Sequence, residues 1–219
     1  MLLTQYLTVS GYGEHDIEID RSRFIAYVNR AESEEEAIAF IQSIKKKHWD
    51  ATHNCSAYCI GEYDQIQKAD DDGEPSGTAG KPILEVIKKR KLKDTVIVVT
   101  RYFGGIKLGA GGLIRAYGKS ASRGIDAAKM IERTLHTRIA VTIDYTLLGR
   151  VENELRSNDY LLRHIEYLDR VKLFVDIPVG KEEAYEAWMK DLTHGQGELE
   201  RGEHLYVDRV VGHTGADEE

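Results

Sequence analysis

The chain has 219 residues, 42% hydrophobic and 31% charged, with a net charge of -7, three prolines and two cysteines. This is the composition of a folded globular protein, not of a disordered chain or a disulfide framework, and its length fits one large domain or two small ones. No apolar run approaches the roughly 20 residues that span a bilayer, and the N-terminus lacks a basic n-region, so neither a membrane nor a signal peptide is expected and a cytoplasmic location is.

Charge and glycine are spread unevenly. Residues 1–133 carry 20 Lys/Arg against 19 Asp/Glu, whereas 134–219 carry 10 against 18. Within 81–133 the count is 13 against 4, a local excess that a polyanion would feel in place of the total. The acidic C-terminal part either serves solubility or steers a basic protein partner. Ten of the 20 glycines lie between Gly73 and Gly124. Glycine is used where the backbone takes positive φ or approaches something closely, so function is sought there first.

In chain order, residues 4–30 read as three short strands, LTVS, HDIEID and FIAYV, with turns at Gly11–Gly13 and Arg21–Arg23. Ser33 to Glu36 reads as a capping box opening a helix, with Ala37, Phe40, Ile41 and Ile44 as its apolar stripe. Lys45, Lys46 and Lys47 complement the dipole at its solvated end. HNCSAYCIG (53–61) predicts a strand with His53, Cys55, Ala57 and Cys59 on one face. Its cysteines would stand about 13 Å apart, so a core strand is favoured over a metal or redox pair. Residues 69–81 form a polar loop. Pro82 stands in the first turn of a helix, TVIVVT (95–100) suits a central strand covered on both faces, and a small-residue helix spans about 110–128 with Leu113, Ile114, Tyr117, Ala121 and Ile125 inward. Beyond 131 the pattern is strand (138–145), helix, two strands (160–168 and 171–177), helix and strand (198–209), the βαββαβ order of a ferredoxin-like unit. The closing GHTGADEE is expected to be an acidic, disordered tail. Together the elements predict an α+β chain of two domains, 1–133 and 134–212, with the tail at 213–219.

Two loops stand out: DDDGEPSGTAGKP and TRYFGGIKLGAGGLIRAYGKS. The second joins the buried strand to the small-residue helix. Gly104, Gly105, Gly109, Gly111 and Gly112 free its backbone, and N–H groups at a helix start favour anions. Arg101, Lys107 and Arg115 flank those groups, and Lys88, Lys89, Arg90 and Lys91 end the preceding helix, making these the candidate phosphate or nucleic-acid contacts. A second candidate motif comprises Asp71, Asp72, Gly73, Glu74, Pro75, Ser76, Gly77 and Thr78. Neither loop meets the P-loop pattern: Ala110 replaces the lysine after Gly109, and Pro75 replaces the first glycine before Gly80-Lys81. The dinucleotide pattern fails at Ile114. Asp70 to Asp72 could place Mg²⁺, but such loops are more often solvated turns, so no metal, cofactor or catalytic residue is expected. Arg101 has two readings, a phosphate contact or a clamp on a carboxylate of the 70–74 loop.

The blocks DDGEPSGTAGKP and VVTRYFGGIKLGAGGLIRAYGKSA resemble the signature of the Impact protein family, whose bacterial members are called YigZ-like, and the resemblance covers nearly the whole chain. It implies an N-terminal domain like domain 2 of ribosomal protein S5 and a ferredoxin-like C-terminal domain, the pair resembling domains IV and V of elongation factor G. With the local positive charge, it leads to the expectation of an RNA- or ribosome-binding modulator of translation without catalysis. The alternative is an enzyme acting on a phosphorylated small molecule through the glycine-rich loop.

Overall fold

The computed structural model describes residues 2–211; the expected tail lies outside them. Among the described residues the chain is α+β, with five helices and two five-stranded sheets. The described residues divide into two compact units, one of residues 6–132 with 209–211 and one of residues 2–5 with 133–208.

The N-terminal unit is built on strands β2 (Gly13–Ile19), β3 (Ser22–Arg30), β4 (His53–Ile60), β5 (Ile66–Asp70) and β6 (Thr95–Tyr102), in the order β2-β3-β6-β4-β5. Every neighbouring pair is antiparallel. The β-branched run takes the central place, and alternation divides its side chains. Ile97 and Val99 face helices α2 (Gly80–Lys89) and α3 (Gly109–Ala128), in one core with Phe24, Cys55, Cys59 and Ile125. Val96 and Val98 face helix α1 (Glu34–Lys47) on the opposite side. Both cysteines are free, buried core residues.

Ser33 caps α1, its Oγ accepting from Glu36 N at 3.2 Å. The reciprocal bond from the Glu36 carboxylate goes to Glu32 N at 2.8 Å, one residue before the place a capping box would use. Strand β5 corrects the polar-loop reading of Ala69 and Asp70. It is a sheet edge on which only Ile66 is even half-buried, so it carries no apolar alternation to read. Ile114 is another correction: it points to solvent from α3 and does not join the inward stripe.

The C-terminal unit has the element order β7 (Met130–Ile143), α4 (Tyr145–Ser157), β8 (Leu161–Tyr167), β9 (Val171–Pro178), α5 (Glu182–Leu192) and β10 (Glu198–Val210). The second sheet runs β1-β7-β9-β8, where β1 is Gln5–Val9, and β10 also pairs with β7. β7 begins eight residues before the predicted strand, because its first half mixes charged and polar residues with few apolar ones. Ile139, Val141, Leu173 and Val175 bury one sheet face against Val151 and Leu155 of α4 and Tyr185 and Met189 of α5.

Helix α3 lies close against the N-terminal sheet through Gly124. A Cβ there would stand 2.8 Å from Ala26 Cβ and 2.9 Å from Val28 Cγ2. Glycine costs a helix interior about 1 kcal/mol relative to alanine, so on propensity alone Gly124→Ala should stabilise. Overlap with two core side chains outweighs that gain. Urea unfolding of Gly124→Ala is expected to show a net loss of about 1–3 kcal/mol; a gain in stability would mean that the helix can retreat from the sheet without cost.

Candidate nucleic-acid interface

The acidic loop between β5 and α2 is folded onto the N-terminal unit by its own carboxylates. Helix α2 begins at Gly80 with Ala79 as its cap residue, which can offer no side-chain acceptor. Asp71 supplies one from eight residues upstream. Its Oδ1 accepts from Ala79 N at 3.1 Å and Gly80 N at 2.8 Å, and its Oδ2 from Gly77 N at 2.7 Å. Burial pulls the Asp71 pKa up, but the three amides outweigh it and hold the carboxyl below its usual value.

Asp72 has φ +44, and its Oδ2 accepts from Asn54 N of β4 at 2.6 Å. Its Oδ1 accepts from Lys45 Nζ at 2.6 Å, so the first lysine of the α1 run reaches the loop and is no mere solvated helix end. His53 Nδ1 lies 2.9 Å from the Asp72 carbonyl. A carbonyl only accepts, so that nitrogen carries a proton.

Glu74 turns inward and is 7% exposed. Its Oε1 accepts from Arg101 Nη1 at 2.6 Å and from Tyr117 OH at 2.8 Å. Its Oε2 lies 3.8 Å from His53 Nε2. Arg101 is the penultimate residue of β6, at 5% exposure. Its guanidinium packs 5.4 Å from the ring centroids of both Phe24 and Phe103. Of the two sequence readings for Arg101, this geometry is the carboxylate clamp. Cys55 Sγ lies 3.3 Å from Tyr117 OH and 3.0 Å from the Asp71 carbonyl, and burial pushes its thiol far above the usual range. Such a thiol is a packing group and not a nucleophile.

The other candidate cations divide in two. Arg90 is committed, with Nη1 2.6 Å from Asp126 and Nη2 2.6 Å from Ser122. Lys88, Lys89 and Lys91 are exposed at the end of α2, Lys88 lying 3.9 Å from Glu85 one turn back. Lys107 and Arg115 are exposed on the glycine-rich segment. Gly104 is required by close approach, since a Cβ there would fall 1.8 Å from the Arg21 carbonyl oxygen. Gly105 and Gly109 have positive φ, +89 and +68. Gly111 and Gly112 lie in the first turn of α3, whose cap residue Leu108 gives no side-chain hydrogen bond. In the second motif Pro75, Ser76 and Gly73 are exposed, while Thr78 is buried and donates to the Pro75 carbonyl.

Sequence reasoning passed over the aromatic part of this surface. Phe103 is 46% exposed, and Ile106 and Ile114 are exposed beside the two cations in sequence. Trp49 is 83% exposed on the loop after α1. That loop is tied to the end of β6: Thr52 N donates to the Arg101 carbonyl at 2.9 Å and Phe103 N to Thr52 Oγ1 at 3.0 Å. His48, just before Trp49, lies between the hydroxyls of Tyr27 at 2.6 Å and Tyr102 at 2.8 Å. The signal for Trp49 was available, because its helical neighbours Lys45 and Lys46 offer no apolar partner.

Two outcomes test the clamp. Glu74→Ala leaves the Arg101 guanidinium buried without its carboxylate, which typically costs about 3–5 kcal/mol; urea unfolding is expected to show a loss of that order, and a loss near zero would mean that the pair contributes no net stability. Asp71 contributes through a depressed pKa, so its contribution is present above the unfolded value of about 3.9 and disappears as pH falls through the lower folded value. Asp71→Asn should therefore cost about 1–2 kcal/mol at pH 7, and the gap to the parent should close on acidification. A gap that stays constant down to the acid transition would rule out the ionised cap.

The sequence matches the model of the Impact N-terminal domain over residues 20–125 and that of a domain of unknown function, DUF1949, over residues 141–196. It is 55% identical to the IMPACT family member YvyE of Bacillus subtilis, over 97% of this chain and 98% of that one. It is 35% identical to the IMPACT family member YigZ of Escherichia coli, over 83% and 90%. A crystal structure described as that of a hypothetical protein superposes with a TM-score of 0.59 at 32% identity, covering 92% of this chain and 99% of the other. With both halves matched and relatives aligned over nearly their full length, the chain belongs to the Impact family.

Proposed function

We propose that the protein binds RNA, free or within the ribosome, through the β6–α3 segment of its N-terminal unit, and modulates translation without catalysing a reaction. The observation that carries this reading is the exposed set on that segment: Phe103, Ile106 and Ile114 beside Lys107 and Arg115. Aromatic faces stack on unpaired bases and cations meet phosphates. The charge of residues 81–133, 13 basic against 4 acidic, gives a polyanion a favourable approach. The buried clamp supports the same reading, because it fixes the backbone on which the exposed groups stand. We further infer that the N-terminal unit is like domain 2 of ribosomal protein S5 and that the C-terminal unit is ferredoxin-like. The strand order β10-β7-β9-β8 with both helices packed on one core favours the second assignment.

Lys107→Ala is expected to weaken binding to single-stranded RNA of any sequence alike. It should also reduce the slope of log affinity against log salt by about 0.7–1. Filter binding across a salt series measures both. An unchanged slope, in a variant that is folded and still binds RNA, would reject this segment as the phosphate contact. Absence of the parent protein from RNA and ribosome fractions in low-salt co-sedimentation would reject the function.

A further inference from the structure

Helix α1 leaves part of its sheet face uncovered. Between it and the edge strand β5 lies a cavity of about 330 Å³. Register sets the floor. Ser56 of β4 stands opposite Asp70 of β5, and Tyr58 opposite Lys68. Alternation puts these four side chains on one sheet face. Tyr58 shares a core cluster with Ala37 and Val96, so that face is the one toward α1. The helix contributes Ile38, Ile41, Gln42 and Lys45 to the wall, a spacing of 3, 4 and 7 that marks a single helix face.

The polar groups divide into committed and uncommitted ones. Tyr58 OH donates to Glu34 Oε1 at 2.5 Å. Lys45 Nζ donates to Asp72 Oδ1 at 2.6 Å and lies 3.4 Å from Asp70 Oδ2. Ser56 is different. It lines the cavity at 4% exposure, and its hydroxyl makes no hydrogen bond to another described residue. Buried polar groups are normally paired, so this hydroxyl marks a place that a ligand would complete. Lys68 lines the cavity, is exposed and has no ion pair among the described residues. Asp70 keeps its carboxylate half-exposed, with Oδ1 accepting from Asp72 N at 2.9 Å.

We propose that this cavity binds one free amino acid with an aliphatic side chain, a site separate from the RNA-binding segment proposed above. Its volume lies at the lower end of the roughly 300–1,000 Å³ of ligand pockets, which suits a small metabolite. Lys45 and Lys68 balance Asp70 and Asp72, so a net anion or cation gains little there, whereas a zwitterion can pair with both signs. Lys68 and Asp70 stand two residues apart on one face of β5, about 7 Å along the strand. The α-carboxylate meets Lys68 and the α-ammonium meets Asp70. The Ser56 hydroxyl can donate or accept beneath them. The aliphatic side chain lies against Ile38 and Ile41, removing their apolar surface from water.

Leucine titrated into the full-length protein, followed by amide chemical shifts and calorimetry, tests the site. Saturable shifts are expected within 38–45, 56–58 and 68–70. N-acetyl-leucine lacks the ammonium and leucinamide the carboxylate; each is expected to bind about tenfold more weakly, the order expected when a charge loses its partner. Lys68→Gln and Ile38→Ser, both at exposed positions, should lower leucine affinity by about the same factor. Ser56→Ala should lower leucine affinity with no loss of stability to urea, because the fold makes no use of that hydroxyl. The absence of saturable shifts at these positions, equal affinity for N-acetyl-leucine or leucinamide, or unchanged affinity in Lys68→Gln and Ile38→Ser would overturn the proposal. The titration contains no RNA, so this site and the Lys107 salt slope can each fail without the other.

Discussion

The N-terminal unit is organised around one buried ion pair. Glu74 sits in a loop with little apolar content, and Arg101 lies one residue before the end of the central strand. Neither charge is tolerable in the core alone, because removing an ion from water costs several kcal/mol that only a close partner and further hydrogen bonds offset. Here the partner is 2.6 Å away and Tyr117 of α3 donates to the same oxygen. One carboxylate thereby joins the acidic loop, the central strand and the long helix. The loop has no hydrophobic anchor of its own, so this pair, the Asp71 cap and the Asp72 contacts are what order it.

This arrangement assigns different work to residues of the same charge. Arg101 and Arg90 are held by carboxylates and stabilise the fold. Lys107 and Arg115 lie outside and are available to a ligand. The same division runs through the glycines. Gly104 and Gly124 are consumed by close packing, against the Arg21 carbonyl and against Ala26 and Val28, while Gly105 and Gly109 shape the exposed turn. A glycine-rich, basic segment is thus half framework and half surface.

The two units offer complementary chemistry. The N-terminal segment combines cations with exposed apolar and aromatic groups, the combination that meets a phosphate backbone and its unpaired bases. The open face of the C-terminal sheet carries the stacked rings of His164 and Phe174 with side chains of both charges beside them. Each surface stands on strands and helices whose opposite sides are committed to a core.

The sequence by itself determined most of the framework. The β-branched run at 95–100 can be satisfied only between two covering layers, the capping residue Ser33 starts α1, and the strand and helix periods after residue 138 set out βαββαβ. These signals are local, so they survive without tertiary knowledge. β5 and the first half of β7 were hidden because an edge strand and a strand of mixed polarity carry no alternation. The candidate site was legible as a region and not as roles. Carboxylates and cations look alike in a sequence whether they pair inward or face solvent; only the meeting of residues 74, 101 and 117, brought together across up to 43 positions by the sheet and α3, decided that Arg101 and Glu74 are buried while Lys107, Arg115 and Trp49 are exposed. Desolvation is a property of the packed environment, and that environment exists only in the fold.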